Sequence, residues 1–157
     1  MGENTVSDAE MADFRVLDVD ELPAKGMVYK ELTITPAQML AINAAPVVLA
    51  AAQADKINEF ISAVLILDYE SAAYANNGIL AVYETDATGT LVSSPVLLAD
   101  FLAKTADTVQ FVPPVVADTP LLPNKALVLT MPTGESITGD SPVRVKCMYR
   151  VHDADLA

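Results

Sequence analysis

The last part of the chain alternates between apolar side chains and mostly basic ones. The apolar series is Val143, Val145, Cys147, Tyr149 and Val151. The residues between them are Arg144, Lys146, Met148, Arg150 and His152. Successive side chains of an extended strand point to opposite faces, so this pattern predicts a strand with one apolar and one basic face.

Six further segments have β character, and turn residues separate them. They are residues 28–34, 46–51, 57–69, 79–84, 108–112 and 126–131. Turn signals lie at residues 76–78 and 86–89, because Asn and Gly tolerate positive φ angles. Short strands with turns about every 8–12 residues predict a mainly β fold, either a β-sandwich or a jelly roll.

Two segments interrupt this rhythm and predict short helices. Thr35 and Pro36 suit an N-cap and a first helical position, which predicts a turn of helix over residues 37–42. Residues 95–104 carry apolar side chains at helical spacing and predict a short amphipathic helix. These side chains are Leu97, Leu98, Phe101 and Leu102.

The segment 57–69 is apolar on both faces in its middle, unlike the strictly alternating final segment. The residues concerned are Ile61, Val64, Leu65, Ile66 and Leu67. Such a run is typical of a central strand that is covered on each side, and we expect that arrangement here.

Residues 1–26 differ in composition from the rest and form an acidic N-terminal arm, followed by a β-sandwich domain over residues 27–157. The arm holds seven acids against two bases. Its acids include Asp13, Asp18, Asp20 and Glu21. A short helix from about Asp8 is compatible with the sequence, but it would be too short to be stable alone in water. We therefore expect it to lie against folded protein, and favour a neighbouring copy over its own domain.

Composition narrows the classes of partner. The chain has 157 residues and a formal net charge of −12, which disfavours nucleic acid, because phosphate binding needs clustered positive charge. No apolar run approaches the length of about 18 residues that a membrane helix needs. The N-terminus has no basic region followed by an apolar one, so we expect synthesis in the cytoplasm without a secretory signal.

Candidates for catalysis are few, and we expect neither enzymatic activity nor a cofactor. A single His and a single Cys cannot supply a zinc site from such ligands. Cys147 is expected in the core and His152 at an exposed strand end. Asp68 and Glu70 resemble a glycosidase pair only in spacing, and the loop at residues 84–88 lacks the glycine and closing acid of an EF-hand.

The basic face of the final segment is the strongest functional signal. Arg144, Lys146 and Arg150 are three of only nine Lys and Arg residues in the chain. One interpretation is an edge strand that charge protects from aggregation. The other is an interface for acidic groups, namely Asp13, Asp18, Asp20 and Glu21 of the arm. The two interpretations are compatible.

Several segments together resemble a known family. They are PVVLAA at 46–51, SAVLILDY at 62–69, AY at 73–74, GILAVY at 78–83, NKALVLT at 124–130, GD at 139–140 and the final strand at 143–152. This pattern is similar to that of the small capsid decoration, or cement, proteins of tailed bacteriophages. Relatives often carry glycines where this chain has residues 52–56, and the acidic arm has no counterpart in the resemblance.

The resemblance implies a jelly-roll-like sandwich that stabilises the outer surface of a phage capsid. It implies the major capsid protein as partner, location on the virion exterior after synthesis in the host cytoplasm, and a homo-oligomer, with a trimer favoured over a dimer. The alternative is a non-catalytic adhesin-like module that recognises a glycan or a receptor. Such modules usually display aromatic side chains for stacking on sugars, whereas this chain has no Trp.

Overall fold

The strands of the protein form two antiparallel sheets in a computed structural model that describes residues 26–75, 78–116 and 120–155. The strands in these ranges are β1 (Met27–Ile34), β2 (Val47–Ala50), β3 (Lys56–Leu67), β4 (Ile79–Glu84), β5 (Val96–Leu97), β6 (Thr108–Val112), β7 (Leu127–Thr130) and β8 (Val143–Asp153). One α-helix, α1 (Pro36–Leu40), and one 3₁₀ turn (Leu98–Asp100) accompany them.

The strand order is that of a jelly roll. Sheet A has the order β1-β8-β3-β6 and sheet B the order β2-β7-β4-β5. The first strand therefore pairs with the last, the second with the seventh, the third with the sixth, and the fourth with the fifth, all antiparallel. The prediction of a mainly β sandwich is confirmed.

The core lies between the two sheets and is built by alternation along each strand. Sheet A contributes Leu65 and Val145, while sheet B contributes Leu80 and Leu129, and all four are almost fully buried. Burial of such side chains is the main favourable term in folding. The apolar face of β8 thus belongs to the core, as its sequence predicted.

Helix α1 begins as the sequence predicts. The Thr35 hydroxyl accepts a hydrogen bond from the Gln38 backbone N–H, the Gln38 side chain accepts one from the Thr35 N–H, and Pro36 occupies the first turn. This capping box satisfies backbone donors that a helix start otherwise leaves unpaired.

The predicted helix over residues 95–104 is wrong. Val96 pairs with Leu80 of β4, and Leu97 pairs with Ile79, so this part of the segment is the short edge strand β5. Only a 3₁₀ turn follows. Backbone pairing with β4 competes with helical hydrogen bonds for the same groups, and the tertiary contact prevails.

The expectation that β3 is covered on each side also differs from the structure. Leu65 and Leu67 point into the core and are buried. Val64 and Ile66 point to the opposite, outer face of sheet A and remain partly exposed. One face of β3 therefore presents apolar side chains away from the core.

Candidate interface on the outer face of sheet A

The outer face of sheet A carries the basic series of β8. The inward residues Val143, Val145 and Cys147 are fully buried, while Arg144 and Met148, at outward positions of the same strand, are exposed. Strand β8 lies between β1 and β3, so the interpretation of β8 as a charge-protected edge strand is wrong. The basic side chains instead run along the middle of a sheet face.

Arg144 binds Asp68 at the end of β3. Its Nε and Nη2 donate to the two carboxylate oxygens at 2.7 and 2.8 Å. Hydrogen bonding from Arg144 lowers the pKa of Asp68, and the same bond raises the pKa of Arg144. Parallel bonds of this kind fix the guanidinium geometry, although an exposed pair adds little stability.

Lys146 binds Glu31 on the other side of β8. Its Nζ lies 2.8 Å from Glu31 Oε1, and the Tyr29 hydroxyl donates to the same oxygen at 2.8 Å. The Lys146 bond and then the Tyr29 bond lower the pKa of Glu31. The bond to Glu31 raises the pKa of Tyr29, because losing the phenolic proton would remove it. Strand β1 thus supplies the acid that pairs with Lys146.

Arg150 is less well paired than the other two. Its Nη1 lies 3.9 Å from Glu59 Oε2, beyond hydrogen-bonding distance. His152 Nε2 lies only 2.7 Å from that same oxygen. The Arg150 Nε is buried and has no hydrogen-bond partner. The guanidinium therefore retains a donor that no described side chain uses.

Among the described residues, the acids that meet the basic series are Glu31, Glu59 and Asp68, and their sequence pattern did not identify them as its partners. Strand register places them there: Glu31 lies opposite Lys146, and Glu59 lies opposite Arg150. The alternation of polar side chains along β1 was visible in the sequence. It identifies Glu31 as a partner of Lys146 only once β1 is known to pair with β8. The predicted partners Asp13, Asp18, Asp20 and Glu21 lie outside the described residues, so that pairing stays a prediction.

The β3–β6 side of the same face is apolar. We call Val64, Ile66, Val109 and Phe111 the apolar patch. Val64 lies opposite Phe111 and Ile66 opposite Val109 in the antiparallel register. Val109 and Phe111 are 68% and 57% exposed, and these fractions are high for large apolar side chains. The outer face thus combines a strip of ion pairs with an exposed apolar patch.

The outer face of sheet B is different. Ala81, Tyr83 and Val128 form a buried cluster there, with Leu91 and Ala126 packed against them. Residues after β4 thus pack onto the outer face of sheet B and cover part of it. On sheet A the corresponding side chains of β6 remain open, so the two faces of the sandwich are not equivalent.

The side chains considered as catalytic candidates are either buried in the core or bound to other residues of the fold. Cys147 is in the core, and burial raises the pKa of its thiol to about 12. His152 contacts Glu59, and Asp68 binds Arg144. Asp86 accepts hydrogen bonds from the backbone and hydroxyl of Thr88, which order the loop after β4. Within the described ranges, no three His, Cys, Asp or Glu side chains group as metal ligands would.

Comparisons with protein-family models, curated proteins and solved structures give no match for this chain. In the part of the chain that the structure describes, no helix is long and apolar enough to cross a membrane. The activity of the protein must therefore be inferred from its own residues and their arrangement.

Proposed function

We propose that the protein is a structural component of a tailed-bacteriophage virion, binding the outer surface of the capsid as a homo-oligomer. The observation that carries the proposal is the apolar patch on the outer face of sheet A. Contiguous exposed apolar side chains on a soluble protein mark contact surfaces. Val109 and Phe111 project from the edge-strand side of that face, where another protein can reach them.

The ion pairs beside the patch also support a protein contact. Arg144 and Lys146 each have an acidic partner from the same sheet, so the strip adds little net charge to the face. A partner can then cover this strip without leaving an isolated charge buried, which would be costly. An apolar centre beside compensated polar groups is the general arrangement of protein interfaces.

A jelly roll suits this role for mechanical reasons. Its two sheets pack into a rigid body, and its surface can touch the shell at several points. The proposed partner is the major capsid protein. Symmetric copies, with a trimer favoured over a dimer, make individually weak contacts durable through multivalency.

The decisive experiment is co-sedimentation of the purified protein with phage heads that lack it. We expect saturable binding by the wild-type chain and weak binding by a Val109→Asp, Phe111→Asp double variant. Ile137→Asp is the matched control, because Ile137 is also exposed but lies in the connection between β7 and β8, away from strand β6. Failure of the wild-type chain to bind heads would remove the proposal.

The same preparations address the alternative of an adhesin-like module. Tyr29 on β1 and Phe111 on β6 are exposed aromatic residues of the outer face, but two strands separate their strands in sheet A. A glycan array on which the wild-type chain gives clear hits, combined with no binding to heads, would favour the adhesin.

A further inference from the structure

Strand β6 forms an open edge of sheet A. Among the described strands it pairs only with β3. Its sequence, Thr-Val-Gln-Phe-Val at residues 108–112, carries no charge, although the chain has a formal net charge of −12. Proteins usually protect an exposed edge with Lys, Pro or a β-bulge, and β6 has none of these along its pairing with β3. This edge therefore suits pairing with another strand.

The other edge of sheet A is protected. Lys30 of the edge strand β1 reaches sheet B, where its Nζ donates to the Val48 carbonyl of β2 at 3.2 Å. A lysine at a sheet edge discourages pairing with another chain. Just beyond β6, the Ser94 N–H donates to the Pro113 carbonyl at 2.9 Å, so the chain itself covers that position. Within the described residues, sheet A is thus open along residues 108–112 rather than along β1.

The register shows which backbone groups of β6 face the open edge. The Asp68 N–H, just after β3, donates to the Pro142 carbonyl, just before β8. Since backbone groups alternate from side to side along a strand, the even-numbered residues at this end of β3 bond to β8 and the odd-numbered ones to β6. The odd-numbered residues of β3 lie opposite Thr108, Gln110 and Val112. The N–H and C=O groups of Val109 and Phe111 therefore point away from β3.

A side-chain contact agrees with this assignment. Gln110 Nε2 donates to the Phe111 carbonyl at 2.9 Å, which supplies a donor to an oxygen that β3 does not reach. A carbonyl oxygen has two lone pairs, so this bond leaves room for a second donor. The side chains of Val109 and Phe111 are both more than half exposed. An approaching strand can therefore reach this edge.

Two copies of β6 are self-complementary about Gln110. In an antiparallel pair centred on this residue, Val109 of each copy lies opposite Phe111 of the other. The Val109 N–H then donates to the Phe111 carbonyl and the Phe111 N–H to the Val109 carbonyl, and symmetry forms each bond twice. Asp107 of each copy falls opposite Pro113 of the other, so no like charges meet directly at the contact.

The same register continues the apolar patch across the two-fold axis. Within one chain, Val109 lies beside Ile66 and Phe111 beside Val64. Across the axis, Val109 meets Phe111 of the second copy on the same outer face. Pairs of β-branched and aromatic side chains on neighbouring strands stabilise antiparallel sheets. Rows of apolar side chains thus run without interruption from one copy into the other.

We propose that two copies of this chain pair through β6, antiparallel and centred on Gln110, so that their four-stranded sheets A join into one continuous sheet. The contact is two-fold, so it selects a dimer, whereas the resemblance favours a trimer. It uses the edge of the strand and leaves the outer face of the apolar patch open to a further partner. The proposal does not depend on binding to a capsid.

Sedimentation velocity of the full chain, without phage heads, tests the contact. We expect the wild-type chain at micromolar concentration to sediment as a dimer, with twice the 16.6 kDa of one chain. Gln110→Cys tests the register, because the axis places residue 110 of the two copies directly opposite, with Cα atoms about 4.5 Å apart. This separation suits a disulfide. Oxidised glutathione should therefore convert the variant into a covalent dimer.

Val109→Cys is the matched control. Residue 109 is more exposed than residue 110, but in the proposed register it lies opposite Phe111 of the second copy, so this variant should remain uncross-linked under the same conditions. The native Cys147 does not interfere, because it is fully buried. A wild-type chain that sediments as a monomer or a trimer would overturn the proposal. No cross-linking of Gln110→Cys, or equal cross-linking of the two variants, would overturn it as well.

Discussion

Arg144 on β8 and Asp68 at the end of β3 share two hydrogen bonds of 2.7 and 2.8 Å, although 76 positions separate them in the sequence. Both side chains are partly exposed, so solvent screens their attraction. The pair orients Arg144 along the outer face of sheet A and removes one free positive charge from it. Its role is better described as positioning than as stabilisation.

This relationship predicts a small coupling energy. In a double-mutant cycle of Arg144→Gln and Asp68→Asn, the interaction should contribute about 0.2–1 kcal/mol to the free energy of unfolding, as exposed pairs do. Urea unfolding of the four proteins measures it. A coupling of several kcal/mol would mean that the pair is buried in solution, against another copy or the arm.

Asp140 predicts a pH dependence of stability. It accepts hydrogen bonds from the Ser71 hydroxyl and from the backbone N–H groups of Ser71 and Ala72, the Ser71 side chain being the largest cause of a pKa lowered to about 2. Because the folded pKa is below the unfolded value, this contribution is fully present above about pH 4. It is lost as the pH falls toward about 2.

Thermal unfolding of the wild-type chain and Asp140→Asn between pH 2 and 6 checks this prediction. The stability difference between the two proteins should be largest near pH 6 and should shrink as the pH falls. Asp100→Asn, at an exposed acid elsewhere in the fold, is the control for the removal of a surface charge. A difference that stayed constant with pH would show that the Asp140 charge is unimportant.

Position 139, a glycine beside the Tyr74 ring, should tolerate no side chain. Its φ is +120°, and a Cβ would lie 2.3–2.6 Å from the buried ring of Tyr74, whose hydroxyl donates to the Ser141 carbonyl at 2.6 Å. We expect Gly139→Ala to cost about 3 kcal/mol, through backbone strain and displacement of the ring. Gly134→Ala, at an exposed glycine with a φ of +95°, should cost about 1 kcal/mol from strain alone. Equal losses in chemical unfolding would contradict the role of Tyr74.

The Cys147 thiol should be inert in the folded protein. It is fully buried between the sheets, and burial raises its pKa to about 12, so the reactive thiolate is scarce at neutral pH. An aromatic disulfide reagent should react with it only after denaturation. Thr33→Cys, at an exposed position of the outer face of sheet A, should react at once. Rapid labelling of Cys147 under native conditions would mean that the sandwich opens readily.

The acidic arm should contribute to assembly of the protein but not to folding of the sandwich. Deletion of residues 1–25 should leave a folded sandwich, because the core side chains lie between sheets that begin at Met27. The same deletion should weaken oligomer formation or attachment to heads. Circular dichroism and sedimentation velocity measure the two effects. Unfolding of the truncated chain would show instead that the arm belongs to the core.

The strands themselves were readable from the sequence. Residues 79–84 and 108–112 form strands with the predicted bounds, and β8 ends one residue beyond its predicted end. Alternation was sufficient for β8, because its inward side chains are apolar where that face of the sheet is buried. At residues 95–104 the spacing fitted a helix equally well, and only the pairing of Leu97 with Ile79 decides for a strand.

The β class, the buried face of β8 and the concentration of basic side chains on its other face follow from the sequence pattern, because side-chain alternation is a local property of the strand. Other features depend on the folded chain: Glu31, Glu59 and Asp68 meet those bases, Arg150 keeps an unpaired donor, and Val109 joins Ile66 in an exposed patch. Strand order and register produce these contacts. They arise from packing across the whole chain, and they bring together residues whose separation in sequence carries no sign of their contact.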